Sequence, residues 1–236
     1  MFASGYRWPS PKRWASTPAC RRGVPVQWII SVGVATFIAS QAAAAPSGYF
    51  PPAAPKSPVK CGHSSAIDQF RDQWYGKHLK AAEEPPLYGQ AGRPRGLAAE
   101  TLRFTWLRTF HAPIVVRVEW TQAGSAQLIA KQLSGRGGYE LGGVVQRVTR
   151  HLRAGEAQQL RTLLTRTQIF EQPTTECVAQ PGGTIRVVAD GAEWIFEDVD
   201  PRGYHVAVWQ SPEGGRVRDL GLALLALTGW RVDPVY

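Results

Sequence analysis

Short catalytic signatures are missing from this chain of 236 residues. It has no GxSxG, P-loop, GxGxxG or HExxH pattern and no calcium loop, so reaction classes that announce themselves in a local motif are excluded. Cysteine is scarce, three in all, with no CxxC and no histidine at zinc-ligand spacing; neither a metal nor a cofactor is expected. Charge is scarce too, at 19% of residues beside 44% hydrophobic, a mix too apolar for a wholly disordered chain. Against these lacks stand nine Trp, eight Phe and seven Tyr, rings that stabilise only when buried. The length suits one ordinary domain with a tail. The composition promises a packed core and names no activity.

Acids are absent before position 45, where Arg7, Lys12, Arg13, Arg21 and Arg22 stand alone. An apolar run of about sixteen residues from Val24 to Ala39 follows, then Ser40-Gln41 and the alanines Ala42 to Ala45. A basic region, an apolar region and small residues at the exit make a secretory signal peptide. It spans residues 1–44 and is cut between Ala44 and Ala45, because a cut after Ala45 would place Pro46 beside the scissile bond. The run falls short of the ~20 residues a spanning helix needs; an uncleaved anchor and a translation start at Val24 are the competing readings. Arg21-Arg22 lacks twin-arginine context, and no lipobox precedes Cys61. Processing removes five of the 27 basic residues and none of the 18 acidic ones, so the net charge falls from +9 to +4. A pI near 9.8 would otherwise suggest nucleic acid. Here much of it belongs to the leader, so no nucleic-acid partner is expected, and a membrane contact only if the leader is retained. The expected location is periplasmic or secreted.

Cys20 departs with the leader. Cys61 and Cys177 are left as a pair that an oxidising compartment permits to form a disulfide, the alternative being two buried thiols.

Residues 45–99 read as a flexible Pro/Ala-rich lead-in with one helix over 65–80, its face formed by Ile67, Phe70, Trp74 and Leu79 and its end set by Glu83-Glu84-Pro85-Pro86. Residues 100–232 read as the compact domain. Leu102, Phe104 and Trp106 alternate with Arg103 and Thr105, and Ile114, Val116, Val118 and Trp120 alternate with Arg117 and Glu119. Period-two alternation predicts half-buried antiparallel strands with one polar face. Further strands are expected at Ala126 to Leu133, Val144 to Leu152, Ala192 to Val199 and Tyr204 to Gln210, with a short run at Ile185 to Val188. Amphipathic helices are expected over 155–167 and from Arg216 to Leu227. The order βββ-β-α-ββ-α predicts an α+β domain, an antiparallel sheet with two helices on one face.

The runs Arg103-Phe104-Thr105-Trp106-Leu107-Arg108-Thr109-Phe110-His111, Asp190-Gly191-Ala192-Glu193-Trp194-Ile195-Phe196-Glu197, Tyr204-His205-Val206 and Trp209-x-Ser211-Pro212 resemble an uncharacterised family of small exported bacterial proteins. The resemblance covers most of residues 100–230 and implies no activity.

Gly135-Arg136-Gly137-Gly138 does not lie between a strand and a helix, as a phosphate cradle must, and reads as a turn. Arg147, Arg150 and Arg153 form no stripe, and Arg161 and Arg166 read as a solvated helix face. His63, His78, His111 and His151 are isolated. The best cluster lies on the hairpin around Asp200-Pro201-Arg202-Gly203. A three-residue loop (Pro201, Arg202, Gly203) would pair Asp200 with Tyr204 and give one apolar face of Trp194, Phe196, Tyr204, Val206 and Val208. The other face would carry Glu193, Glu197, His205 and Trp209, the candidate binding set. A two-residue loop would mix His205 with Trp194 and Phe196, so burial favours the former.

A carboxylate beside a histidine can orient it and raise its pKa; the bland version is a surface ion pair. The reading is an exported, non-catalytic binding or structural module whose partner is an envelope component or protein. The alternative is a periplasmic hydrolase using Glu197, His205 and Tyr204, with no nucleophile identifiable. Binding predicts a broad aromatic surface, catalysis a pocket with convergent polar groups.

Overall fold

A computed structural model describes residues 47–52, 67–89, 98–172 and 190–236. The leader with its Ala44/Ala45 cut, Cys61, Cys177, His63 and the run at Ile185 to Val188 lie outside the described residues.

The protein is α+β. Helix α1 (Gln69–Ala81) is followed by β1 (Ala98–Arg108), β2 (Ile114–Thr121), β3 (Ala126–Leu133) and β4 (Val144–His151). Then come α2 (Ala154–Thr167), β5 (Ala192–Asp200), β6 (Gly203–Gln210) and α3 (Gly215–Leu227). All six strands form one antiparallel sheet in the order β4-β3-β2-β1-β5-β6. Sequential strands pair as hairpins, and β5 returns to the free edge of β1 after α2. The α+β expectation thus holds, and the helix expected over 65–80 is present as α1. No helix among the described residues is long and apolar enough to cross a membrane.

Local chemistry accounts for the helix ends. Asp68 caps α1 by accepting the Arg71 N–H at 2.8 Å. Glu156 in the first turn of α2 accepts the Arg153 N–H at 2.8 Å, and Gln168 closes the helix in the left-handed region at φ 49°. At α3, Gly221 sits where a Cβ would lie 2.1 Å from the Trp194 ring, so glycine is what lets helix and sheet approach.

The sheet is buried on both faces, which corrects the expectation of one polar face. On one side Leu102, Phe104, Trp106, Val116, Val118, Trp194 and Phe196 pack against Ala157 and Leu160 of α2 and Val217, Leu220 and Leu224 of α3. The Trp106 and Trp194 indole N–H groups both donate to the Tyr236 carbonyl oxygen, at 3.1 and 3.0 Å, tying the chain's last residues to this core.

On the other side Tyr75 and Leu79 of α1, with Tyr49, Phe50 and Ile67, cover Leu107, Val115, Leu133, Ile195, Val206 and Val208. The compact domain therefore does not begin near residue 100. Residues 47–52 and α1 are part of it, because the second sheet face is too apolar to remain uncovered. The helix also docks on a face different from the one expected: Asp72, Tyr75, Gly76 and Leu79 are buried, while Phe70 is 73% exposed.

Candidate functional site

The β5–β6 hairpin decides where the candidate residues fall. Asp200 pairs with Gly203, Glu197 with Val206, Asp198 with His205 and Trp194 with Trp209. The loop is thus Pro201-Arg202, one residue shorter than expected. Asp200 stabilises it by accepting the Arg202 and Gly203 N–H groups at 2.7 and 3.2 Å, an Asx-type turn. The one-residue shift exchanges the faces of β6 relative to β5. Glu193, Glu197 and Tyr204 lie on the α1 side; His205 and Trp209 lie on the α2/α3 side. The binding set expected from the sequence is not assembled, and the Glu197–His205 pair of the hydrolase reading does not exist. The argument against the shorter loop fails because both faces are buried and apolar alternation cannot choose between them.

Glu197 is instead the centre of a buried ion network. It accepts Arg103 Nε and Nη2 at 2.7 Å each, a bidentate pair, and the Tyr204 hydroxyl at 2.9 Å. Arg103 is opposite Glu197 on β1 and opposite Arg117 on β2. Glu84, from the segment following α1, draws these cations together, with Arg117 Nε at 2.8 Å and Lys131 Nζ at 2.7 Å. Arg103 Nη1 also donates to the Pro85 carbonyl at 2.6 Å and Lys131 to the Glu83 carbonyl at 2.9 Å. Glu119 and Glu83 pair with Arg117 and Arg147. Burial, and secondarily Glu197, raises the Tyr204 pKa, keeping it a donor. Burial disfavours the charged Arg103, but Glu197 overcomes this and holds its pKa up. Every charge here has a partner, so the network fastens residues 83–85 to the sheet and leaves nothing to meet a ligand.

The opposite face of that hairpin carries a cleft of about 470 Å³, lined by Glu100 of β1, Arg161, Leu164 and Thr165 of α2, residues 168–171, and Asp198, Asp200, Arg202 and His205. Asp198 is 3% exposed, and its Oδ1 has no hydrogen-bond partner among the described residues. Burial first, then the Glu100 and Asp200 charges, pushes its pKa up to about 8, against the opposing pull of Arg202 and Arg161. Burial likewise raises Glu100, partly offset by Arg161, whose Nη1 stands 3.1 Å from Glu100 Oε2. Asp200 goes the other way: burial opposes ionisation, but hydrogen bonds from the Arg202 side chain and backbone prevail and lower its pKa. His205 Nε2 is 3.7 Å from Asp200 Oδ1 and has no hydrogen-bond partner among the described residues. The Phe170 ring lies 5.7 Å from the imidazole.

Of the sequence-selected residues only His205 lines this cleft. Glu100, Phe170, Asp198 and Asp200 were missed, although Asp198 carried a signal: it continues the Trp194, Phe196 alternation and puts an acid on an apolar face. The Gly135–Gly138 run is a turn, as read. It folds onto the β1–β2 connection, with the Gly137 N–H donating to the Arg108 carbonyl at 2.9 Å. His111 Nδ1 pairs with the Tyr236 hydroxyl at 2.7 Å, and His78 is a buried residue of α1. Exposed aromatics gather at this opposite end, where Phe110 stacks on Tyr139 at 5.8 Å. Among the described residues no group of three or more His, Cys, Asp and Glu side chains is placed to hold a metal ion. No family model matches the chain, and neither a curated protein nor a solved structure shows significant similarity to it.

Proposed function

We propose that this is an exported, non-catalytic envelope module that binds a small polar ligand in the cleft between α2 and the β5–β6 hairpin. The observation that carries the reading is Asp198, a buried carboxyl with an unpartnered oxygen, in a cleft whose volume falls in the range of small-molecule sites, roughly 300–1,000 Å³. A buried polar group without a partner costs about 1–3 kcal/mol, a cost that a ligand removes on binding. Leu164, Ile169 and Phe170 supply the apolar wall such sites use. Among the described residues no Ser or Cys lines the cleft, and the hydroxyl there, Thr165 Oγ1, donates to the Arg161 carbonyl at 3.0 Å within its own helix. Screening small polar compounds by protein-observed NMR tests the reading. Saturable shifts at Phe170, Asp198 and His205 with the compound recovered unchanged are expected, and shifts confined to other surfaces would overturn it. Export is tested by intact mass, a mature chain starting at Ala45 being expected.

A second reading, a hydrolase, is favoured by one observation. Asp198 and Asp200, two residues apart, have pKa values driven in opposite directions, the division of labour that acid–base pairs use. Turnover of a glycoside or ester that both Asp198→Asn and Asp200→Asn abolish would establish it in place of simple binding.

A further inference from the structure

Resting on the binding reading above, we propose that the cleft seats a small organic cation, an alkyl- or arylammonium whose nitrogen meets Asp198 and whose apolar body lies against Leu164, Ile169 and Phe170. The argument turns on which charges are already matched. Both arginines of the cleft face a carboxylate: Arg161 Nη1 is 3.1 Å from Glu100, and Arg202 Nε is 2.6 Å from Asp200. An anion would have to break one of these pairs to gain a counter-ion. Asp198 has no such partner, and its buried oxygen accepts nothing from the described residues. At Asp198 the site therefore has spare capacity for a donor and for positive charge, while both of its arginines are already matched.

The walls agree with this. Phe170 and His205, with ring centroids 5.7 Å apart, offer aromatic faces beside the carboxyl, and a ring face attracts a cation. Leu164 and Ile169 are apolar and suit a hydrocarbon body better than an inorganic ion. A hydrated metal ion would also need several converging ligands, and no suitable group of three is present among the described residues. An ammonium needs only one carboxylate and an aromatic neighbour.

The charge state of Asp198 supplies an internal marker. Burial keeps its carboxyl largely protonated at neutral pH, and an arriving ammonium favours the ionised form. Binding at pH 7 therefore releases a proton to the buffer.

The test uses three probes of similar shape on the full chain: 2-phenylethylamine, 2-phenylethanol and phenylacetate. The amine is expected to shift the Phe170, Asp198 and His205 NMR signals and to bind about tenfold or more tighter than either analogue. Asp198→Asn, nearly isosteric, should remove that preference while leaving the alcohol unchanged. Phe170→Ala, on the cleft rim, should weaken the amine as an independent check. Calorimetry in two buffers of different ionisation enthalpy should show proton release for the amine alone. If the alcohol or phenylacetate binds the cleft as tightly as the amine, the cation assignment falls while the binding reading stands. If amine affinity is unchanged in Asp198→Asn, or its heat does not depend on the buffer, the Asp198 contact falls. If none of the three perturbs the cleft, the cation assignment falls and the binding reading loses its support with it.

Discussion

Glu197 and Asp198 are neighbours on β5, both acidic and both buried, and they face opposite sides of one sheet. Glu197 looks toward α1, where a guanidinium and a hydroxyl satisfy it completely. Asp198 looks toward α2, where its Oδ1 has no partner among the described residues and two other acids stand nearby. The same strand thus holds one carboxylate that fastens the fold and one whose burial is a liability to it. A buried charge is tolerated when its partners are built in; one left without partners has to be explained by something that arrives later. That contrast is what separates architecture from a candidate site here.

Cutting the satisfied side should have the largest effect. Glu197→Ala leaves Arg103 buried without its bidentate partner and removes the Tyr204 acceptor. A loss of about 3–5 kcal/mol is expected, as for a broken buried pair. A surface ion pair, the reading that the sequence alone favours, would cost under about 1 kcal/mol. Chemical denaturation decides between them. Phe196→Ala on the opposite face, a core truncation, should cost a similar 3–5 kcal/mol. Comparable losses at the two positions are therefore the signature of a sheet buried on both sides.

That reversal shows how much the sequence disclosed. The strands were legible because Ile114, Val116, Val118 and Trp120 alternate with Arg117 and Glu119, and every strand and the two later helices fall close to where periodicity places them. What alternation could not reveal is that Arg103, Arg117 and Glu197 are buried as well, since a charge at a polar-phase position reads as solvent-facing until its partner is seen. Glu84, which satisfies Arg117 and Lys131, comes from a segment that looked like a helix stop. With the second face read as solvent-facing, alternation sets the hairpin register one residue off, and the site with it. Long-range charge pairing was the missing information.

The unsatisfied side should respond with the opposite sign. Asp198→Asn removes the ionisable proton and keeps the shape, so the variant is expected to be more stable at pH 8 and above. A gain of roughly 1–3 kcal/mol is expected, because the amide stays neutral where the buried carboxyl would have to ionise. The sign follows from linkage. The folded-state pKa, about 8, lies above the ordinary carboxyl value of 3.8. The folded protein therefore holds an extra proton between these values, and stability falls as pH rises through that window. The variant should flatten this slope and match the parent near pH 4. Equal slopes in parent and variant would show that Asp198 is solvated or paired after all.

On the α1 side His78, 1% exposed, has a buried ring nitrogen, Nδ1, without a hydrogen-bond partner among the described residues. Burial, helped by the nearby Lys77 charge, pushes its pKa down to about 4 from 6.5. The unfolded chain takes up a proton below pH 6.5 while the folded chain resists until about pH 4, so across that interval His78 makes stability rise with pH and offsets the opposite slope of Asp198. His78→Gln should uncover the Asp198 slope down to about pH 4 and leave the limb above pH 6.5 in place. Denaturation midpoints measured from pH 4 to 9 separate the two groups, because above pH 6.5 the His78 contribution is constant while that of Asp198 still changes.

The smallest expected effect sharpens the comparison most. Arg202 is 78% exposed on the hairpin loop, its Nε 2.6 Å from Asp200 Oδ2. As an exposed pair screened by water it contributes little, and Arg202→Ala should barely move the denaturation midpoint at neutral pH. Its electrostatic reach is another matter. Arg202 is among the charges that oppose the rise of the Asp198 pKa, and it holds Asp200 low. Removing it should shift the alkaline slope assigned to Asp198 to higher pH, although the two side chains share no hydrogen bond. Glu197 lies on the far face of the sheet behind Arg103, so its network should not register the change. An NMR titration of the Asp198 carboxyl in parent and Arg202→Ala reads the shift directly. An unmoved midpoint would mean that the cleft is screened by solvent well enough for its charges to act independently, and the distinction drawn between the two acids would then rest on burial alone.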